Sequence, residues 1–262
     1  MIRVSREIRF ALLPSSEFSG QKPVNSWAGG PATNRLVPRL NLRCIVEGKI
    51  DPKTGYLCNI KLLDNLLRDA VAATLKQSDP DQFKAESFLI QVANHCRSLW
   101  QHDAKIIALE LDASAFLNYR IDMEKTSMIT MTEQFEFSAA HRLHCDELSD
   151  QQNRDVFGKC NHINGHGHNY VVAVTLSRDS IGSDGQVIDF VEFEATVNRL
   201  VIDRLDHKHL NLDEPHFKTV NPTVENIAVA IHGWLDKQFG DAKLEKVRVY
   251  ETPKTWAEFP TC

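Results

Sequence analysis

The sequence predicts an α+β fold made of two tandem copies of one β-β-α-α-β-β unit, in which an antiparallel sheet carries two helices on one face. Three observations lead there. Several short segments alternate apolar and polar residues at period two, as half-buried strands do. Between them lie pairs of segments whose apolar residues recur at helical spacing. The whole order then appears twice, about 130 residues apart, which is the mark of an internal repeat.

In the C-terminal half, residues 131–139 set Met131, Glu133, Phe135 and Phe137 against polar neighbours and read as a strand. Residues 169–176, Asn-Tyr-Val-Val-Ala-Val-Thr-Leu, form a second strand rich in β-branched side chains. Residues 185–189 lead into a helix, where Asp189 and Glu192 form a capping box and Phe193, Val197, Leu200 and Val201 make an apolar stripe. A second helix follows Pro222-Thr223, with Ile227, Ile231, Trp234 and Leu235 on one side. Residues 246–250 and 256–259 close the unit as strands.

Upstream the same order returns. Residues 39–48 parallel the second strand, and residues 51–63 parallel the turn and start of the first helix. Residues 86–100 parallel the second helix, and residues 105–111 parallel the strand from Glu245 to Glu251. The expected units are residues 1–122 and 128–262.

Composition narrows the function. The 262 residues are 42% hydrophobic, enough for ordinary cores, and no apolar run reaches the length of a membrane span. Residues 1–7 lack the apolar stretch of a secretory signal. Cysteines at 44, 58, 96, 145, 160 and 262 follow no framework spacing and read as free thiols in a reducing, cytoplasmic setting. A net charge of −5 without a basic stripe argues against nucleic-acid binding. Histidine is uneven: none of the eleven precedes His95, and nine lie at His141 or later.

The chemistry should therefore lie in the second half. His166 and His168, in Cys160-Asn-His-Ile-Asn-Gly-His-Gly-His168, stand at i and i+2, so an extended strand presents both imidazoles on one face. A third imidazole from a neighbouring strand, with His141 of Phe137-Ser-Ala-Ala-His141 at hand, would give three neutral nitrogens and an open position, as in a catalytic zinc site. Cys160 is too far from the pair for a CxxC knuckle and is better placed as a reacting group. The competing account is that a His-Gly-His turn merely tolerates tight backbone geometry.

Four motifs in order, Phe157-Gly-Lys-Cys160-Asn-His-Ile-Asn-Gly-His166-Gly-His168-Asn-Tyr170, Leu205-Asp-His-Lys-His-Leu210, Asn221-Pro-Thr-Val-Glu-Asn226 and Val249-Tyr-Glu-Thr252, resemble the 6-pyruvoyl-tetrahydropterin synthase family. The likeness extends to its queuosine-pathway relative, 6-carboxytetrahydropterin synthase, and covers roughly residues 131–260. The resemblance implies two tandem tunnelling-fold units, the second catalytic. It implies Zn2+ held by His141, His166 and His168, and a substrate, 7,8-dihydroneopterin triphosphate, converted to 6-pyruvoyltetrahydropterin with release of triphosphate, a carbon–oxygen lyase reaction. It implies that Cys160 is the catalytic cysteine, that Asp206 and His207 exchange protons with it from a neighbouring subunit, and that Glu251 anchors the pterin ring. Thr223 would line the pterin pocket, although an N-cap of the second helix explains it equally well. His144 and His162 match no family ligand position, and His209 reads as peripheral. Five residues between Cys160 and His166 favour the pyruvoyl type over 6-carboxytetrahydropterin formation; a non-catalytic pterin-binding scaffold is the reading from another class.

Sliding the halves by 130 residues sets Leu36 opposite His166, Pro38 opposite His168, Gly30 opposite Cys160, and Lys76-Gln77 opposite Asp206-His207. Nearer the ends, Pro14 falls opposite His141 and Leu111 opposite Glu251. No ligand or titratable pair survives in the first copy, which reads as a structural scaffold. Since the family's rings hold three units, three tandem chains would form a trimer, with one ring from each kind of unit.

Overall fold

Two strand-strand-helix-helix-strand-strand units follow one another along the chain. The structure is a computed structural model and describes residues 1–13, 34, 36–76, 82–124, 128–181 and 185–260. The sequence pairings at Pro14, Gly30 and Gln77 lie outside the described residues. By contact, the chain divides into one unit of residues 1–131 and 178–187 and another of residues 132–177 and 188–262.

The first unit contains β1 (Ile2–Ala11), β2 (Arg39–Gly48), α1 (Ile60–Leu75), α2 (Ala85–Leu99), β3 (Lys105–Asp112) and β4 (Leu117–Asp122). The strands run antiparallel in the order β1-β2-β3-β4. Period-two burial along β2 puts Leu40, Leu42, Cys44 and Val46 under the helices. Asn59 starts α1 by accepting the Lys61 N–H, and Leu63, Leu67, Ala70 and Val71 follow on its buried face. Phe88, Leu89, Val92 and Cys96 of α2 complete the core. Each such large apolar side chain contributes about 1.5–3 kcal/mol when removed from water.

The second unit contains β5 (Ile129–His141), α3 (Asp150–Phe157), β6 (His166–Arg178), α4 (Phe190–Val197), α5 (Asp203–Leu205), β7 (Lys208–His209), α6 (Leu210–Asp213), α7 (Val224–Leu235), β8 (Lys243–Thr252) and β9 (Thr255–Phe259). A π-helical turn, Asn198–Ile202, joins α4 to α5, so one helical run extends from Phe190 to Leu205. Strand order is β5-β6-β8-β9, with the two-residue β7 alongside β5 in parallel. Asp189 caps α4 by accepting the Glu192 N–H, and Phe193, Val197, Val201 and Leu205 are buried beneath it. α7 packs on β8 and β9 through Ile227, Ile231 and Leu235.

The repeat is visible in the irregularities. The β2–β3 ladder shifts register between Ile45 and Val46, and the β6–β8 ladder shifts between Thr175 and Leu176, 130 residues further on. Across those ladders Leu42 faces Leu111 and Val172 faces Val249, so Leu111 corresponds to Val249. The expected pairing of Leu111 with Glu251 is therefore two residues out, and Ala113 takes that place; it too lacks a carboxylate.

Candidate active site

His141 ends β5 and His166 opens β6, which puts their rings at the same end of two neighbouring strands. The His-Gly-His segment is extended strand and not a turn, so His166 and His168 share a face with ring centroids 4.8 Å apart. Just before it, Gly165 has φ +70°, and a Cβ there would stand 2.7 Å from the His141 carbonyl and 2.8 Å from His209 Nε2. Only glycine fits that close approach at that backbone angle.

The His141 Nδ1 lies 2.7 Å from the Pro222 carbonyl. A carbonyl only accepts, so Nδ1 carries the proton and the Nε2 lone pair faces the cluster. There Nε2 meets His166 Nε2 at 3.1 Å and Glu251 Oε1 at 3.5 Å, and His168 Nε2 lies 3.5 Å from the same carboxylate oxygen. Ligand atoms of His141, His166, His168 and Glu251 all fall within 4.8 Å of one another. Burial holds the His141 imidazole down to about 4, and burial with His168 nearby lowers His166. Neutral rings are what a metal ion requires. His168 Nε2, which faces the cluster, is buried without a hydrogen-bond partner, as expected of a group whose partner is an ion. The donor set fits a divalent transition metal. Behind it, the buried Tyr170 places its hydroxyl 3.4 Å from both His141 nitrogens, and Phe137 stacks on its ring at 4.8 Å.

Cys160 rides on a 3₁₀ turn, Gly158–Asn161, and its carbonyl accepts the Leu143 N–H two residues beyond His141. Burial first, and the Glu251 charge second, push its thiol up.

Asp206 and His207 follow the end of α5. The Asp206 carboxylate accepts the Ser138 N–H at 2.8 Å and faces His207 Nδ1 at 2.7 Å, while the His207 N–H donates to the Ser138 carbonyl at 2.7 Å. The Ser138 N–H, then His207, hold the Asp206 carboxyl below its ordinary value. His207 adopts φ +56° and its side chain is 84% exposed. It shares a cleft of about 560 Å³ with His168, Asn169 and His209. No hydrogen bond joins His207 to Cys160 among the described residues.

Residues 130–262 match the family model described as 6-pyruvoyl tetrahydropterin synthase. The chain belongs to that family. The human 6-pyruvoyl tetrahydrobiopterin synthase is 42% identical over 122 residues, 47% of this chain and 84% of its own length. A solved 6-pyruvoyl tetrahydropterin synthase from Caenorhabditis elegans is 38% identical, covers 52% of this chain and 96% of its own, and superposes with a TM-score of 0.48. More distantly, the 6-carboxy-5,6,7,8-tetrahydropterin synthase of Aquifex aeolicus is 25% identical over 49% of this chain.

Within this synthase-family unit, Thr223 is the N-cap of α7, accepting the Asn226 N–H. That cap fixes the turn whose Pro222 carbonyl orients His141. His209 is not peripheral: it is half-buried against Gly165, and its Nδ1 is buried without a partner. Sequence reading also missed Glu251 as a neighbour of the histidines, because β8 brings it there from more than eighty residues away. Asn211 escaped notice too. Its side chain accepts the Arg142 N–H at 2.8 Å and donates to the Arg142 carbonyl at 3.0 Å, tying the Asp206–His207 connection to the strand of His141. An isolated asparagine carries no sequence signal for such a clamp. Among the described residues no helix is long and apolar enough to cross a membrane.

Proposed function

We propose that the second unit converts 7,8-dihydroneopterin triphosphate to 6-pyruvoyltetrahydropterin and triphosphate. The observation that carries this reading is the convergence of three imidazoles and Glu251 within 4.8 Å, in a chain of this family. His141, His166 and His168 would hold Zn2+, which supplies a Lewis acid for the vicinal hydroxyls of the substrate side chain. Glu251 turns one oxygen to the imidazoles and keeps the other for the aminopyrimidine edge of the pterin, which selects a ring with donors on that side. Cys160 removes a side-chain proton. Because burial raises its thiol, it needs a base, and the imidazole of His207, oriented by the Asp206 carboxylate, is the group placed for that role.

His207 is exposed and makes no hydrogen bond to Cys160 in its own chain, which supports a site shared between subunits. A three-membered ring cannot alternate two kinds of unit, so the symmetric assembly is a trimer of tandem chains with three such sites. The first unit then serves as scaffold.

Incubation with 7,8-dihydroneopterin triphosphate and product identification by mass spectrometry tests the reaction. A pyruvoyl product is expected. A 6-carboxytetrahydropterin product would move the chain to the queuosine-type reaction, and binding without turnover would make it a pterin-binding scaffold.

A further inference from the structure

We propose that Arg142 is a positioning residue for Cys160, acting through Asn161; its relevance to turnover rests on the reaction proposed above. The Cys160 turn is a weak element. It is four residues of 3₁₀ helix, whose hydrogen-bond geometry is poor, entered through Gly158 at φ +53°. Lys159 beside Cys160 is exposed. The turn's backbone link to the metal-binding strand is the Leu143 N–H on the Cys160 carbonyl, at 2.9 Å.

Arg142 reinforces that link from the position next to His141. Its Nε–H donates to the Asn161 carbonyl at 3.2 Å, and its Nη2 donates to Asn161 Oδ1 at 3.2 Å. The fork thus grips one residue by backbone and side chain together, a geometry open to guanidinium and closed to an ammonium. Arg142 Nη2 and Asn161 Nδ2 also both lie 3.1 Å from His144 Nδ1. Two donors aimed at one ring nitrogen require it to accept, which leaves the proton on Nε2, 3.3 Å from Asp146 Oδ1. The Arg142 backbone is itself held in both directions by Asn211. A chain of fixed groups therefore runs from the end of β5 through Arg142 to the residue after Cys160. Arg142 Nε and Nη2 are both engaged on Asn161, so the guanidinium is tied to the turn.

The test is a double-mutant cycle in the full chain, with Arg142→Lys, which keeps the charge and loses the fork, and Asn161→Ala. Each is expected to lower kcat by roughly tenfold to a hundredfold, the scale of a small misplacement of a reacting group, with KM and bound metal unchanged. Because the two residues act as one unit, the double variant should lose no more than the worse single. In substrate-free protein, iodoacetamide should alkylate Cys160 several-fold faster in both variants, and amides 158–161 should exchange faster. A raised KM at constant kcat would make Arg142 a substrate ligand, and strictly additive losses would make the two residues independent; either overturns the proposal. Unchanged alkylation and exchange would also overturn it. Cys160→Ala separates the two readings: full activity in that variant removes Cys160 from the reaction, while alkylation of Cys160 and amide exchange in the Arg142→Lys and Asn161→Ala chains still report on the clamp.

Discussion

The two units keep the same scaffold down to its defects and differ in what their connections carry. α1 occupies residues 60–75, and the helical run of the second unit occupies residues 190–205, equal in length and each capped by an Asx side chain. The connection to the second long helix, α2 or α7, then diverges: residues 76–84 in the first unit, residues 206–223 with the short α6 in the second, twice as long. The extra length holds Asp206, His207, β7, Asn211 and the Pro222 carbonyl that orients His141. Polar balance differs as well. On the sheet of the first unit, Arg43 is paired with Glu7, Glu110 and Asp112, and Glu110 is paired with Arg120. In the second, His166, His168 and His209 each bury a ring nitrogen without a partner. Helices and sheet supply a frame that either unit provides; chemistry is added at strand ends and connections, where unsatisfied groups are retained.

The largest expected effect breaks the comparison at its centre. A His166→Ala, His168→Ala double variant should bind no metal and lose activity by roughly a thousandfold or more, since several kcal/mol of charge stabilisation go with the ion. Leu36→Ala with Pro38→Ala, at the matching places in the first unit, should change neither quantity. Elemental analysis and turnover read both. Full metal occupancy in the histidine variant would put the ion elsewhere. Glu251→Gln refines the result: metal should stay and pterin affinity should fall, whereas loss of metal would make Glu251 a fourth ligand.

Much of this was legible beforehand, for physical reasons that can be named. His166 and His168 were readable because strand geometry converts a two-residue spacing into one face. Thr223 was readable as a cap because capping is local. β4 and α3 left weaker marks; α3 has a single buried residue, Asn153, and so no apolar stripe. The place of Glu251 beside His141 was not readable, because it depends on the β6–β8 register, which no local pattern encodes. The Arg142–Asn161 contact likewise exists only once β5 and the Cys160 turn have been brought together.

A smaller effect concerns how a site can be divided between chains. If Cys160 of one chain meets His207 of the next, mixing Cys160→Ala with His207→Ala chains under subunit exchange should recover about a quarter of wild-type activity, the share of interfaces in a random three-fold ring that are intact on both sides. Neither variant alone should exceed background. No recovery despite demonstrated exchange would place both residues of a working site in one chain and end the shared-site model.

The smallest effect lies away from the site, where the two units carry opposite solutions to one contact. In the first, Arg6 Nε of β1 donates to Asp64 of α1 at 2.8 Å. In the second, the corresponding residues are Glu133 of β5 and Glu194 of α4, two carboxyl groups. Burial, then the Glu194 charge, lifts Glu133 from the ordinary 4.5 to about 7, and Glu133 Oε2 is buried without a partner. Between those two values the native chain binds more protons than the unfolded one, so stability must fall as pH rises across that window. The contribution is fully present below 4.5 and is lost as pH passes through about 7. Glu133→Gln keeps the shape and removes the charge. It should be more stable than wild type at pH 8, with the difference shrinking toward zero at pH 4.5, as measured by urea unfolding at both values. Glu133→Arg, which recreates the Arg6–Asp64 arrangement, should show the same sign. An equal urea midpoint for Glu133→Gln and wild type at pH 8 would mean that the Glu133 carboxylate has found a cation in the assembled protein, and that the second unit is no less balanced there than the first.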